Sequence, residues 1–144
     1  METLYKLLSD TQASLFVLFQ KTWVYHWNVV GEDFKQFHDL FGEQYEAMFS
    51  HIDRLTEHMR YLNIKPVPTL SRITEVSHIP EANSALDCMG MIRDLLDGHQ
   101  TIINLLTQVS EEAENQKSKG TINLVDDLNE VHGKFIWMLR SFIS

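Results

Sequence analysis

The segment HDLFGEQYEAMFSHIDRLTE, residues 38–57, carries two kinds of potential metal ligand at its two ends: His38 at one, Asp53 and Glu57 at the other. Around it Phe34, Phe37, Phe41, Met48, Ile52, Leu55, Met59 and Leu62 recur mostly at steps of three and four, the apolar stripe of an amphipathic helix. Shifted by one residue runs a second line, His38, Gly42, Tyr45, Phe49, Asp53 and Glu57, which a helix serving a single chain would not need. On a continuous helix His38 and Asp53 lie roughly 22 Å apart, too far to share an ion within one chain. Against a second copy of the same helix across a twofold axis, His38 of one chain comes opposite Asp53 and Glu57 of the other, twice over. The spacing therefore predicts a metal site made by dimerisation. Gly42 costs about 1 kcal/mol of helix propensity relative to alanine, and lacking a side chain it admits a close neighbour.

Before this helix, Leu4, Leu8, Leu15, Leu18, Tyr25 and Val29 mark a long first helix, with Gly31 placed as its stop. Glu32 and Asp33 suit the positive end of the next helix, and the short loop makes the two antiparallel neighbours. After it, residues 63–83 form a long connection punctuated by Pro66, Pro68 and Pro80, in which Thr69 can cap a short helix through Ser71, Ile73 and Val76. A crossover of that length lets the third helix, about 84–115, run parallel to the second. Its face carries Leu86, Ile92, Leu96, His99, Ile103, Leu106 and Val109. Gln116 to Gly120 reads as a polar loop, and Thr121 precedes a fourth helix with Leu124, Leu128, Val131, Phe135, Leu139 and Phe142. With no strand pattern and no repeat, the expected fold is all-α: one domain, 1–144, a four-helix bundle whose long crossover carries a short helix between the second and third helices.

Composition narrows the chemistry. The chain has 144 residues, 44% apolar, enough for one core. A single cysteine, Cys88, forms no intrachain disulfide; neither a leader nor a membrane span is evident, so a cytoplasmic location is expected. The net charge of −8 repels nucleic acid and favours small cations. Zinc-protease, nucleophile-elbow and phosphate-loop patterns are missing. Only Glu75 to His78 matches Glu-x-x-His, and its place in the crossover disfavours an intrachain di-iron site. His26, His38, Asp53 and Glu57 remain, two imidazoles and two carboxylates, a donor set suited to iron with open coordination positions. His51 and His58 share a face with Arg54 and Leu55, a poor metal surface. His78, His99 and His132 show no convincing partners in sequence, and the Glu111, Glu112 and Glu114 cluster reads as a solvated helix end. Trp23 and Trp137 read as core or interface.

Tyr25-His26-Trp27-Asn28-Val29, then Phe37-His38, then His51-Ile52-Asp53-Arg54-Leu55-Thr56-Glu57 resemble the Dps mini-ferritins of the ferritin-like superfamily. The resemblance continues through Pro66-Val67-Pro68-Thr69-Leu70 to Trp137-Met138-Leu139-Arg140 and covers almost the whole chain. It implies a dodecameric shell built from twofold dimers. His26 and His38 of one subunit would join Asp53 and Glu57 of its mate in a ferroxidase site, oxidising Fe(II) with hydrogen peroxide or O2 and storing ferric mineral inside. Trp27 would lie close enough to intercept stray oxidising equivalents. Three departures stand out. Gly42 occupies a position where many members have a carboxylate, leaving Asp39 or Glu43 to act through water at the second iron. The acid expected near the iron-admitting pore is Asn123, with Glu114, Asp126 and Asp127 as substitutes. No lysine-rich arm precedes the first helix and Ser144 follows the last, so DNA binding by tails is not expected. The competing readings are a shell whose altered site binds metal without turnover, and a nucleoid-binding protein.

Overall fold

The computed structural model describes residues 2–144. Five helices follow in order, with no strand among the described residues: α1 (Glu2–Asn28), α2 (Phe34–Tyr61), α3 (Leu70–Val76), α4 (Cys88–Asn115) and α5 (Lys119–Arg140). The four long ones form the bundle and α3 lies on α1, as the hydrophobic pattern requires.

Gly31 makes the α1–α2 turn at φ +120, a conformation that side-chain-bearing residues rarely adopt. Asp33 precedes α2 without a side-chain cap, so the helix start is fixed by the turn and by burial of Phe37. Leu18 packs on Gly98 and Tyr25 reaches Asp94, which sets α4 antiparallel to α1 and hence parallel to α2. Arg54 on Asp127 and His58 on Thr121, each at 2.8 Å, set α5 antiparallel to α2.

The crossover is tied to α1. The Gln12 side chain accepts from Val67 N at 2.8 Å and donates to Val67 O at 3.2 Å, and Ser14 Oγ accepts from His78 N at 2.8 Å. Thr69 caps α3, its hydroxyl accepting from Arg72 N at 3.2 Å, and Ile73 buries the inner face.

Two boundaries differ from the sequence expectation. The third bundle helix begins at Cys88 rather than near 84, because Asp87 caps it from outside, accepting from Gly90 N at 2.8 Å, while Asn83 folds its carboxamide back onto Ala85 N. The last helix begins at Lys119, since Lys117 at φ 57 completes the reversal early; Thr121 is then buried in the first turn. Phe34, placed on the core stripe by spacing, is 41% exposed and stacks on His38 instead.

The core also holds a charge. Lys21, almost wholly buried, meets Asp94 at 2.9 Å, and the Tyr25 hydroxyl donates to the same carboxylate at 2.5 Å while accepting from Asn83 N at 3.1 Å. Burial, reinforced by Asp94, pushes the Tyr25 phenol up, so it stays protonated and serves as the donor. Close packing is sharpest at Gly98, where a Cβ would stand 2.6 Å from Leu18 Cδ1 in a fully buried layer. Gly98→Val is expected to destabilise the fold by about 2 kcal/mol through overpacking, read as a lowered midpoint in denaturant.

Candidate metal site

The tight α1–α2 turn brings His26, in the last turn of α1, beside His38, in the second turn of α2. Their rings stack at 3.8 Å with planes 17° apart. His26 Nδ1 lies 2.6 Å from the His38 carbonyl oxygen, and His38 Nδ1 lies 2.7 Å from the His26 carbonyl oxygen. A carbonyl only accepts, so each Nδ1 must carry its hydrogen and donate. Both Nε2 atoms are then left as bare lone pairs, the tautomer a metal ion requires, with the outer hydrogen bonds already made.

Gly42 explains why this pairing fits. A Cβ there would stand 3.1 Å from His26 Cε1 and 3.2 Å from Nδ1, so the imidazole occupies the space a side chain would fill. Phe34 stacks on the other side of His38 at 5.0 Å, and Tyr45 stands 5.2 Å from the His26 ring. The ring pair is half-buried and has little freedom to shift.

Asp53 and Glu57 lie one turn apart on the same exposed face of α2. A hydrogen bond that the protonated Glu57 carboxyl can donate to Asp53, and then the Asp53 charge, raise the Glu57 carboxyl above its ordinary value. A cation and a proton would compete for this pair, since either relieves the repulsion between neighbouring carboxylates. Because α2 runs unbroken from Phe34 to Tyr61, Asp53 stays roughly 22 Å and Glu57 roughly 28 Å from His38. The chain thus brings the four residues together as two pairs, and among the described residues no three His, Cys, Asp or Glu groups could hold one ion.

Between the pairs stretches an aromatic face. Trp23 stacks on Tyr45 at 5.5 Å and 18°, Phe19 contacts Phe49 at 5.9 Å, and Trp27 lies 4.8 Å from Trp23. Phe49 is 66% exposed and Leu70, from α3, 69%. Trp27 and Trp137 are exposed as well, which excludes the core alternative for Trp137 and leaves Trp23 only partly covered. A cleft lined by Phe19, Trp23, Phe49, Asp53 and Leu70 joins this face to the Asp53 carboxylate.

The remaining sequence candidates are on the surface. Asp39 is held by Lys35 at 3.0 Å, and Glu43 is exposed. Asp127 is paired with Arg54 at 2.8 Å, while Glu114, Asn123 and Asp126 are exposed without forming a cluster. Glu75 pairs with Arg72 and His78 with Asp10, so the Glu-x-x-His match is not a site. His58 bonds Thr121. The sequence reading found no partner for His99 or His132, yet they meet each other at 2.8 Å in the core. Their neighbours in sequence, apolar and at helical spacing, gave no sign of a pair.

With the geometry in place, comparison supplies the class. A model of the ferritin-like domain matches residues 5–144, and the chain belongs to that family. Within it, the chain is a Dps mini-ferritin. It is 30% identical to DNA protection during starvation protein 2 of Bacillus anthracis, over 96% of this chain and 95% of that one. A low temperature-induced protein of Nostoc sp. is 33% identical over 96% of this chain and 78% of its own length. The solved Dps of Thermosynechococcus elongatus superposes with a TM-score of 0.96 at 29% identity, covering 99% of this chain and 91% of that one. No helix among the described residues is long and apolar enough to cross a membrane.

Proposed function

We propose that two copies of the chain pair about a twofold axis to form two ferroxidase sites, and that the dimers assemble into a dodecameric shell. Fe(II) is the substrate. His26 and His38 of one subunit bind it through their free Nε2 atoms, and Asp53 and Glu57 of the mate supply the carboxylates. Two ferrous ions each give up one electron; hydrogen peroxide takes both, with two protons, to become two waters. The ferric product is stored in the shell, and O2 is the alternative acceptor.

The observation that carries this reading is the reciprocal Nδ1-to-carbonyl bonding of His26 and His38, which presents two lone pairs with no carboxylate among the described residues placed to share an ion with them. The exposed aromatic face between the half-sites is the surface such pairing would cover. The raised Glu57 carboxyl adds a sign: proton and cation compete for the carboxylate pair, so iron loading falls as pH falls. Trp23, Tyr45 and Trp27, in ring contact beside His26, are the groups placed to take up stray oxidising equivalents.

Mixing the purified protein anaerobically with Fe(II) and then adding peroxide tests the proposal. Fast oxidation that saturates at a fixed iron ratio is expected, and a rate equal to buffer alone overturns it. Light scattering should show an assembly; a monomer that oxidises iron at full rate would rule out the interchain site.

Gly42 favours a second reading, a shell with a weakened site, because no side chain reaches the second iron position from there and Lys35 already engages Asp39. The two readings separate on turnover: a shell that binds metal but oxidises Fe(II) no faster than buffer is the second, whereas turnover with only one strongly held ion per site still makes the protein an enzyme. Gly42→Ala presses a methyl group on a ring already held by two contacts. It is expected to weaken metal binding about tenfold with the fold intact, as measured by calorimetric titration with Co2+.

A further inference from the structure

Six buried side-chain nitrogen or oxygen atoms among the described residues lack a hydrogen-bond partner, and five of them belong to Gln44, His51, His99 and His132. An orphaned buried polar atom costs about 1–3 kcal/mol, so their concentration in one layer calls for a chemical reason. The α2–α5 register set by Arg54 with Asp127 and His58 with Thr121 stands Met48 at the level of His132. Gln44 and His51 fall about one turn to either side on α2. His99 reaches the same layer from α4, its Nδ1 2.8 Å from His132 Nδ1, and His51 stands 6.4 Å ring to ring from His132. Met48, His99 and His132 are fully buried.

We propose that His99 and His132, through their Nδ1 atoms, and Met48, through its thioether, form a closed site for one copper(I) ion in the bundle core, separate from the His26–His38 pair.

Both imidazoles are neutral, since burial pushes His99 down to about 3 and His132 well below its ordinary value. Two neutral imidazoles at this separation share one Nδ1 hydrogen. When an ion takes both nitrogens, that hydrogen moves to Nε2 of its own ring, a change of tautomer that releases no proton. Each Nε2 then carries a hydrogen, and Gln44 Oε1 and His51 Nδ1 are unused acceptors in the same layer.

Charge and softness select the ion. No carboxylate belongs to the set, and the cost of burying an ion rises with the square of its charge, so a divalent ion would be penalised about fourfold relative to a monovalent one. Thioether and imidazole together suit copper(I) among the available metals. Nitrogens bound at about 2.0 Å in a trigonal arrangement lie about 3.5 Å apart, so the pair must open by only about 0.7 Å. Phe135 sets its edge against both rings, at 5.5 and 6.0 Å, and keeps the layer dry. An ion held there is shielded from peroxide.

The test starts from His26→Ala/His38→Ala protein, which removes the surface imidazole pair. Anaerobic titration against copper(I) bicinchoninate should show one ion per chain withdrawn from the chelator. Adding His99→Leu/His132→Leu should abolish that ion. Those leucines replace orphaned polar atoms by hydrocarbon, so the helix content should persist. X-ray absorption of the loaded protein should show two nitrogens and one sulfur; Met48→Leu should remove the sulfur and weaken capture about tenfold or more. Equal copper uptake with and without the core histidines, or a shell containing only surface oxygen donors, overturns the proposal. If the leucine variant fails to fold, the absorption spectrum of the parent alone decides.

Discussion

Co-expressing His38→Ala and Asp53→Ala chains should restore iron oxidation that neither variant shows by itself. In the proposed dimer each site takes imidazoles from one subunit and carboxylates from the other. Every site of a His38→Ala dimer lacks an imidazole, and every site of an Asp53→Ala dimer lacks a carboxylate. Loss of a direct ligand should slow the initial rate at least about 100-fold, equivalent to about 2.7 kcal/mol of barrier. In a mixed dimer one site inherits both defects. The other joins His38 of the Asp53→Ala chain to Asp53 of the His38→Ala chain and is wild type. Random pairing at equal expression makes half the dimers mixed, so about a quarter of all sites recover. Stopped-flow oxidation of Fe(II) by peroxide measures that quarter directly. A site contained within one chain could not be rescued, because every copy would carry one defect; a mixture no faster than its parents would exclude the interchain assignment.

Part of the candidate site was legible in sequence. Asp53 and Glu57 sit four residues apart and project from one helical face, and their distance from His38 follows from helix rise alone. The bundle and its crossover were equally readable, because Leu4 to Val29 and Phe37 to Met59 repeat at helical spacing and Thr69 caps α3 as its side chain suggests. The reciprocal bonds of His26 and His38 were not readable. They depend on a turn in which Gly31 takes positive φ and sets two backbone carbonyls against two side chains. Gly42 looked like an allowance for a neighbouring helix or a lost ligand, and the neighbour it accommodates is His26 itself. His99 and His132 were missed for a different reason. Each sits on an apolar stripe, and a contact across 33 residues leaves no local pattern. The start of α5 was misplaced because the reversal rests on Lys117 at φ 57, a conformation its residue type does not advertise.

That buried pair should also dominate the acid limb of stability. Burial holds His99 neutral down to about 3, far below its ordinary 6.5, and lowers His132 in the same direction. In the unfolded chain both rings take up protons as pH falls through about 6.5, while the folded chain leaves them neutral. The unfolded state therefore binds more protons, and stability falls with falling pH. Each ring contributes about 1.4 kcal/mol per pH unit once the unfolded form is fully protonated, so the pair removes about 2 kcal/mol in the first unit below 6.5 and nearly 3 kcal/mol in the next. For His99 the loss continues toward pH 3, where the folded ring would itself protonate. Denaturant titrations of the metal-free protein at several pH values should show this slope. His99→Leu/His132→Leu removes the imidazoles from both states and should flatten the profile by the same amount, while the carboxylates that titrate in both proteins cancel in the difference. Parallel profiles for the two proteins would mean that the rings gain protons in the folded bundle, through an opening of the layer where α4 and α5 meet. Because neutrality of these rings also leaves their nitrogens available to a soft cation, copper(I) bound there should stabilise the folded form and extend its range into acid, an effect the leucine variant cannot show.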